Sequence, residues 1–348
     1  MITGTGFFTW VLKRCEGGDP DSLARVAKDA GFSHVLIKIA DGPFSFGETA
    51  DHPPVIQIVQ ALRRAGILVI GWQYVYGNAP ESEADIAYRR VKELGLEFFV
   101  VNAESEYKYK SDRAVTYMNR LRSGLPDVKI GLSSYRFPTL HREFPWREFI
   151  SRCDFVMPQV YWVLGNNPGS QLRRCIEEYK QFPIRPLIPT GAAYADNQNV
   201  DPLTGTYWRP TPGQVQEFMD ACSLLGLDGF NFWEWGNTRQ YCPELWDVIA
   251  GQNTEYPPIE PDPQPEPLTG TVRFGNVVSP SGLNVRSAPA YPSPSVWFIL
   301  PAGAGVEILE EVKTGDGSTW WRIGQKQYVA AHWKSPFDGQ FHTFAEYV

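Results

Sequence analysis

Asn102 and Glu104 close an apolar run, 97–104 (EFFVVNAE), that reads as a buried β-strand. Strand side chains alternate between faces, so both polar groups point the same way. Burying a carboxylate at the end of such a run is costly unless it serves a purpose. In a parallel barrel the carboxyl ends of the strands build the active site. A glutamate placed there is a candidate proton donor for glycoside cleavage, and the asparagine beside it is placed to hold a substrate amide. The competing reading is a strand-end glutamate in a structural salt bridge.

Other strand ends carry groups suited to the same chemistry. The run 157–162 (MPQVYW) brings Gln159 and Tyr161 to one face. A tyrosine there can hydrogen-bond an acetamido carbonyl, while Gln159 reads equally well as a satisfied core amide. Ser134 and Tyr135 end the preceding run, and Trp72, Tyr74 and Tyr76 share a face of an earlier one. The segment 232–236 (FWEWG) forces a choice by parity: either Trp233 or Glu234 faces the barrel axis. Trp233 inward is the favoured arrangement, as a floor under the scissile sugar. Glu234 inward would set a second carboxylate opposite Glu104 and open a two-carboxylate mechanism. Asp41, Glu106 and Asp196 fall in loops after strands and read as solvated acids. To act as an acid, Glu104 must hold its proton near neutral pH; apolar neighbours favour that, and Lys38, if close, opposes it.

The elements that must position these groups follow from the chain's patterning. Apolar runs at 6–10, 34–40, 67–76, 97–104, 128–134, 154–162, 185–191 and 227–234 alternate with segments of helical spacing at 21–30, 54–65, 81–94, 112–122, 171–181 and 212–225. Asp21 reads as an N-cap, and Thr211-Pro212 as an N-cap followed by proline at the first helical position. Gly31, Gly66 and Gly95 each follow a helical segment and suit its end. Eight strands with intervening helices over residues 1–252 is the pattern of a (β/α)8 TIM barrel, an α/β fold, with an open doubly wound sheet as the alternative. The unit at 136–152 reads as partly irregular. Six prolines between Tyr256 and Pro267 make 253–267 an extended spacer. Beyond it, 268–348 reads as short strands and turns in a small all-β barrel, ending in an aromatic-containing tail from Lys334.

Composition narrows the function classes. The chain has 348 residues, 43% of them hydrophobic, and 12 are tryptophan. Flat rings match the apolar faces of sugars but also fill ordinary cores. A net charge of −7 argues against non-specific nucleic-acid binding, so no nucleic-acid partner is expected. The five cysteines are scattered and odd in number, which suits reduced core thiols. The histidines show no zinc-binding spacing, no phosphate-binding glycine loop appears, and no run is long enough to span a membrane; no metal or organic cofactor is expected. Residues 1–10 lack the features of a secretory signal, so synthesis in the cytoplasm is expected, with delivery to a target outside the cell by lysis, a phage or an injection device.

The C-terminal segment resembles the bacterial SH3-like family. The string Gly282-Leu283-Asn284-Val285-Arg286-Ser287-Ala288-Pro289 carries the likeness, with Leu300-Pro301-Ala302-Gly303, Trp321-Arg322-Ile323 and Tyr328-Val329. The resemblance implies tethering to bacterial cell-wall glycan, with Trp320, Tyr328 and Trp333 as contacts. The first domain is similar to the lysozyme-type barrels of glycoside hydrolase family 25. Residues 34–42 (HVLIKIADG) are similar to that family's second strand, including its lysine, here Lys38. Gly71-Trp72-Gln73-Tyr74 is similar to its aromatic third strand. Asn102 stands where that family has the first member of an Asp-x-Glu pair, and the run 6–11 lacks its first-strand aspartate. The Asn-x-Glu motif is also similar to that of endo-β-N-acetylglucosaminidases that use substrate assistance. That likeness implies that the substrate's 2-acetamido oxygen attacks the anomeric carbon, Asn102 orients the acetamido group and Glu104 protonates the leaving oxygen, with no enzymatic nucleophile.

Together these readings lead to an expected glycoside hydrolase of bacterial peptidoglycan, cleaving β-1,4 links beside N-acetylated sugars. Glu104 and Asn102 are its expected catalytic groups, with Glu234 as a second carboxylate. Lys38, Trp72, Tyr74, Tyr135, Gln159, Tyr161 and Trp233 are its expected substrate contacts. The alternatives are a non-catalytic glycan-binding protein with a degenerate barrel and a structural component of a phage-like particle.

Overall fold

The computed structural model describes residues 2–48, 53–183, 185–200, 206–251, 273–280, 282–286, 288–290, 296–300, 303–324, 327–335 and 340–347. The chain divides into two compact units. The first is built on β1 (Gly4–Thr9), β2 (His34–Asp41), β3 (Leu68–Val75), β4 (Phe98–Ala103), β5 (Lys129–Tyr135), β6 (Phe155–Val160), β7 (Thr190–Ala192) and β8 (Gly229–Trp233). Each strand pairs in parallel with the next, and β1 pairs with both β2 and β8, so the sheet closes on itself. A closed parallel barrel of eight strands with helices between them is the (β/α)8 fold. Among the described residues no helix is long and apolar enough to cross a membrane.

Alternation along the strands sorts the core into two shells. Phe8, Leu36, Ile70, Trp72, Val100, Phe155 and Met157 fill the barrel interior. Their neighbours Phe7, Val35, Ile37, Val69, Phe99 and Val101 face the surrounding helices. All five cysteines are buried free thiols.

Two inward glycines make room for large rings inside the barrel. A Cβ on Gly6 would lie 2.2 Å from the His34 ring, and one on Gly131 would lie 2.1 Å from the Phe155 ring. The His34 imidazole hydrogen-bonds Ser33 and Asn231, and burial pulls its pKa down to about 4. Because the interior is close-packed, Gly131→Ala must displace Phe155 or the strand. We expect it to destabilise the barrel by about 1–3 kcal/mol, read as a lower urea midpoint at unchanged slope.

The helices are α1 (Pro20–Asp29), α2 (Val55–Arg64), α3 (Pro80–Glu93), α4 (Ser111–Gly124), α5 (Trp146–Ile150), α6 (Pro168–Tyr179), α7 (Pro212–Leu224), α8 (Trp235–Tyr241) and α9 (Pro243–Ile249). The cap of α1 is Asp19, whose carboxylate accepts from the Ser22 N–H, and not Asp21. Pro20 explains the shift, since its fixed φ suits the first helical position and puts the cap at Asp19, two residues earlier than Asp21. Thr211 and Gln214 form a reciprocal capping box at α7. Gly31, Gly66 and Gly95 have φ of 71°, 82° and 61°, the left-handed conformation that ends a helix. The stretch after β5 holds only a 3-10 turn, Pro138–Leu140, and the short α5. Strand β7 is shorter than the apolar run suggests, because Pro186 and Pro189 have no N–H to give to a ladder. After β8 the chain forms α8 and α9, which the spacing does not announce.

The second unit is made of short antiparallel strands. Arg273–Val277 lies between Gly305–Ile308 and Ala345–Tyr347. Leu283–Arg286 pairs with Val296–Leu300 and Gln327–Lys334, and Thr319–Gly324 with Glu310–Lys313 and Gln327–Lys334. Val277, Leu283, Val285, Val306, Ile308, Trp321 and Val329 form its core. The tail is therefore structural, contributing Phe341–Thr343 and Ala345–Tyr347 as strands. Trp320 is only 2% exposed, which corrects its expected place as a surface contact; Tyr328 and Trp333 keep part of their surface. The proline-rich spacer 253–267, with Ser287, Pro301 and Ala302 of the matching strings, lies outside the described residues.

Candidate active site

Three neighbouring strands converge on one amide. Gln159, near the end of β6, donates from Nε2 to Asn102 Oδ1 at 2.9 Å, to Glu104 Oε1 at 3.0 Å and to Ser133 Oγ at 3.3 Å. Asn102 ends β4 on its inward face, and Glu104 follows directly after the strand. Their shared direction is the alternation anticipated from the run 97–104. Register does the rest: Asn102 stands beside Ser133 on β5, and Tyr135 beside Gln159 on β6. Burial raises the pKa of the Glu104 carboxyl. Hydrogen bonds from Gln159 and Asn102 oppose the rise, and the nearby Glu106 carboxylate adds to it. A carboxyl held above its usual range is suited to give up a proton at neutral pH.

Aromatic side chains make the floor and walls. Trp233 packs with Phe8 and Trp72 over the barrel core and is partly exposed, so it, and not Glu234, faces the axis. Trp72 is only 1% exposed and donates its indole N–H to the Thr9 carbonyl at 3.0 Å. It supports Trp233 from below and has no free face for a sugar, which corrects its expected stacking role. Trp10, 44% exposed with its ring 6.2 Å from that of Trp233, extends the platform outward. The apolar run 6–10 carries the signal for it, since Trp10 stands two residues after the inward Phe8, although the strand itself ends at Thr9. Tyr161 and Tyr194 meet edge to face at 5.7 Å, and burial, with Glu104 nearby, raises the pKa of both phenols. Tyr194 also went unnoticed in the sequence, since it follows the short β7. Tyr135 stacks on His141 at 3.6 Å, and burial, with Glu104 nearby, pushes its pKa up to about 12.

On the opposite wall, Lys38 is buried with its ammonium 3.3 Å from Asp41 and near the rings of Phe46, Trp72 and Trp10. Burial lowers its pKa, and Asp41 resists that shift. Tyr76 donates to Asp41 at 3.2 Å, and Tyr74 to Glu106 at 2.8 Å. Asp41 and Glu106 are therefore bonded wall groups, not the solvated loop acids expected.

Glu234 corrects a further expectation. Its carboxylate caps α8, accepting the Asn237 and Gly236 N–H groups at 2.5 and 3.3 Å. Strand β8 ends at Trp233, the Trp233–Glu234 peptide is cis, and Trp235 turns into the outer core. A carboxylate already bonded to a helix N-terminus is ill placed as a second acid opposite Glu104. Among the described residues no three His, Cys, Asp or Glu side chains gather as a metal site would need.

No family model matches this sequence, and no curated protein matches it. Solved structures do. A chitinase from Chromobacterium violaceum is 11% identical with a TM-score of 0.53, over 73% of this chain and 100% of that one. A class V chitinase from Nicotiana tobaccum is 13% identical with a TM-score of 0.54, over 72% and 99%. The spore cortex-lytic enzyme SleL of Bacillus cereus is 9% identical with a TM-score of 0.51, over 72% and 75%. Identities this low speak to fold alone: the first unit shares a closed (β/α)8 barrel with these structures.

Proposed function

We propose that the barrel is a glycoside hydrolase cleaving β-1,4 bonds beside N-acetylated sugars, with bacterial peptidoglycan as substrate. The observation that carries this reading is the single amide of Gln159 holding Asn102 and Glu104 side by side above a tryptophan floor. Trp233 supports the sugar ring, and Asn102 orients its acetamido group. The acetamido oxygen attacks the anomeric carbon as Glu104 gives its proton to the departing glycosidic oxygen. Water then attacks the same carbon, Glu104 takes its proton, and the acetamido group is restored. This route needs one protein carboxyl, one fewer than the usual pair, which fits a site where Glu234 caps a helix. Tyr161 and Tyr194 flank the acid. No metal or organic cofactor enters the scheme.

Peptidoglycan is favoured over other N-acetylated glycans by the resemblance of the second unit to SH3-like wall-binding domains, and by a barrel likeness that includes a cortex-lytic enzyme. In this reading the domains run 1–252 and 268–348 with a proline-rich spacer between them, the second binds the wall, and the protein reaches its target after lysis or by a phage-like or injection route.

The test is product release from purified peptidoglycan and from chitin oligosaccharides, read by reducing ends and mass spectrometry. Wild type is expected to release fragments, and Asn102→Ala to do so about 10²-fold more slowly with a smaller change in KM, because the orientation it provides matters most in the transition state. Wild-type protein that sediments with the wall and releases nothing is a binding module, and the roles given to Asn102 and Glu104 then fall.

A further inference from the structure

At the amino ends of the barrel strands, opposite the catalytic mouth, lies a group of cations that the proposed chemistry does not use. A cavity of about 460 Å³ there is lined by Arg122, Arg152, Arg185 and Asp154, among others. Arg122 belongs to the last turn of α4, Arg152 and Asp154 precede β6, and Arg185 precedes β7. All three arginines are half-buried. Three positive charges against one negative charge leave the lining with an excess of two, in a chain whose net charge is −7. We propose that this cavity is a binding site for a phosphate monoester, held by its phosphate group between the guanidinium groups. The site is separate from the cleft and does not depend on the hydrolase reading.

The one carboxylate is already committed. Asp154 Oδ2 accepts from Arg122 Nη2 at 2.5 Å and from the Ile130 N–H at 2.9 Å, and its Oδ1 lies 3.6 Å from Lys129 Nζ. Backbone carbonyls aim the guanidinium groups. Arg122 Nε donates to Arg152 O and Arg185 Nε to Cys153 O, each at 2.7 Å, and Arg122 Nη1 donates to Val128 O at 3.0 Å. Arg152 donates from Nε to Asn119 Oδ1 at 2.7 Å, and from Nη1 to Glu148 O at 3.0 Å and Ser151 Oγ at 3.2 Å. Its Nη2 meets no acceptor and no carboxylate pairs with it among the described residues. A guanidinium carries five N–H donors, so Arg122 and Arg152 are anchored yet not used up. Gathering like charges around one turn is costly, and an anion seated among them removes that cost. Forked N–H pairs suit phosphate oxygens, and a phosphate monoester carries a charge of about −1.5 to −2 at neutral pH, which matches the excess. A carboxylate, with a single charge, would balance half of it. The cavity is also large enough for a body the size of a sugar beside the phosphate, since small-molecule sites run to about 300–1,000 Å³.

Calorimetric titration of the full-length protein with glucose 6-phosphate, inorganic phosphate and glucose tests the site. Glucose 6-phosphate is expected to bind and glucose is not. Tighter binding of glucose 6-phosphate than of inorganic phosphate identifies a phosphorylated organic ligand, whereas equal binding makes the free ion the occupant of the same anion site. Arg152→Gln is expected to weaken binding by about tenfold or more, through loss of a charge-assisted contact. Arg152→Lys keeps the charge without the fork and should fall between the two. Arg185→Gln removes a second lining charge from another segment and is expected to weaken binding as well. Thermal unfolding without ligand checks that each variant is folded. Failure of both phosphates to bind overturns the proposal. So does binding that Arg152→Gln and Arg185→Gln leave unchanged, or binding of glucose as tight as that of its phosphate. The titration needs no turnover, so a protein that cleaves no glycan would lose the hydrolase reading and keep this site.

Discussion

Replacing Glu104 with glutamine is expected to slow glycan cleavage by about 10²–10⁴-fold while making the barrel more stable at neutral pH. The two effects have one cause. Burial holds the Glu104 carboxyl above its usual range, only partly offset by hydrogen bonds from Gln159 and Asn102. The folded chain therefore keeps this proton to higher pH than the unfolded chain does. Wherever the unfolded state has lost the proton and the folded state still holds it, stability falls as pH rises. The penalty begins near the unfolded value of about 4.3 and is complete once pH has passed the raised folded value. Glutamine keeps the shape and the contact with the Gln159 and Asn102 amides but cannot ionise. Thermal unfolding at about pH 4 and about pH 8 should show the variant gaining on wild type as pH increases. Activity within about tenfold of wild type would remove Glu104 from the chemistry, and a pH-independent stability difference would show that its carboxyl is not held protonated by the fold.

The barrel strands were legible because parallel strands covered on both faces must be apolar throughout, and short apolar runs separated by helical spacing leave few other arrangements. The orientation of Asn102 and Glu104 was legible for a second local reason, the two-residue period of a strand. What was hidden depends on register and depth. Gln159 could be placed on the same face as Tyr161, but that its amide spans to Asn102 and Glu104 follows from how β4, β5 and β6 are staggered. Trp72 was correctly aimed inward, yet alternation does not say how deep a side chain lies, and Trp72 sits one layer beneath the floor. Parity held at the last strand, with Trp233 inward and Glu234 not, but the pattern does not show that the strand stops at Trp233 and that Glu234 answers to a helix N-terminus. Tyr194 lies where the chain leaves a strand and Ser133 is a small polar side chain that gives no pattern, whereas Trp10 shares the inward face of Phe8 within the run 6–10 and was open to the same alternation.

Glu83→Ala is expected to destabilise the first unit by about 3–5 kcal/mol, although Glu83 lies outside the proposed chemistry. The Glu83 side chain is fully buried in the first turns of α3. Its carboxylate accepts the N–H groups of Tyr76, Gly77, Asn78 and Ala79 at 3.2, 3.1, 3.1 and 3.3 Å, all from the loop that leaves β3. The carbonyls of the same loop face cations: Lys110 donates to Tyr76 O at 2.9 Å, and Arg113 to Gly77 O and Asn78 O at 3.0 Å. The loop peptides thus lie with N–H ends on an anion and C=O ends on cations, and each half of this arrangement is left incomplete without the other. Alanine strands four buried or part-buried donors, which no neighbouring acceptor replaces as long as the loop keeps its path. Glutamine fills the same volume but presents an NH2 where one oxygen accepts N–H groups, so it is expected to recover only part of the loss. Chemical unfolding of the two variants checks the order, Ala below Gln below wild type. A loss under about 1 kcal/mol for alanine would mean that the loop is held by Lys110 and Arg113 alone. Tyr76 belongs to this loop and Tyr74 packs against its ring, so the wall that carries Asp41 and Glu106 should loosen in parallel with stability. Weakened glycan binding in Glu83→Ala, measured well below its unfolding midpoint, would then trace to the anchor of the loop and not to any group that touches substrate.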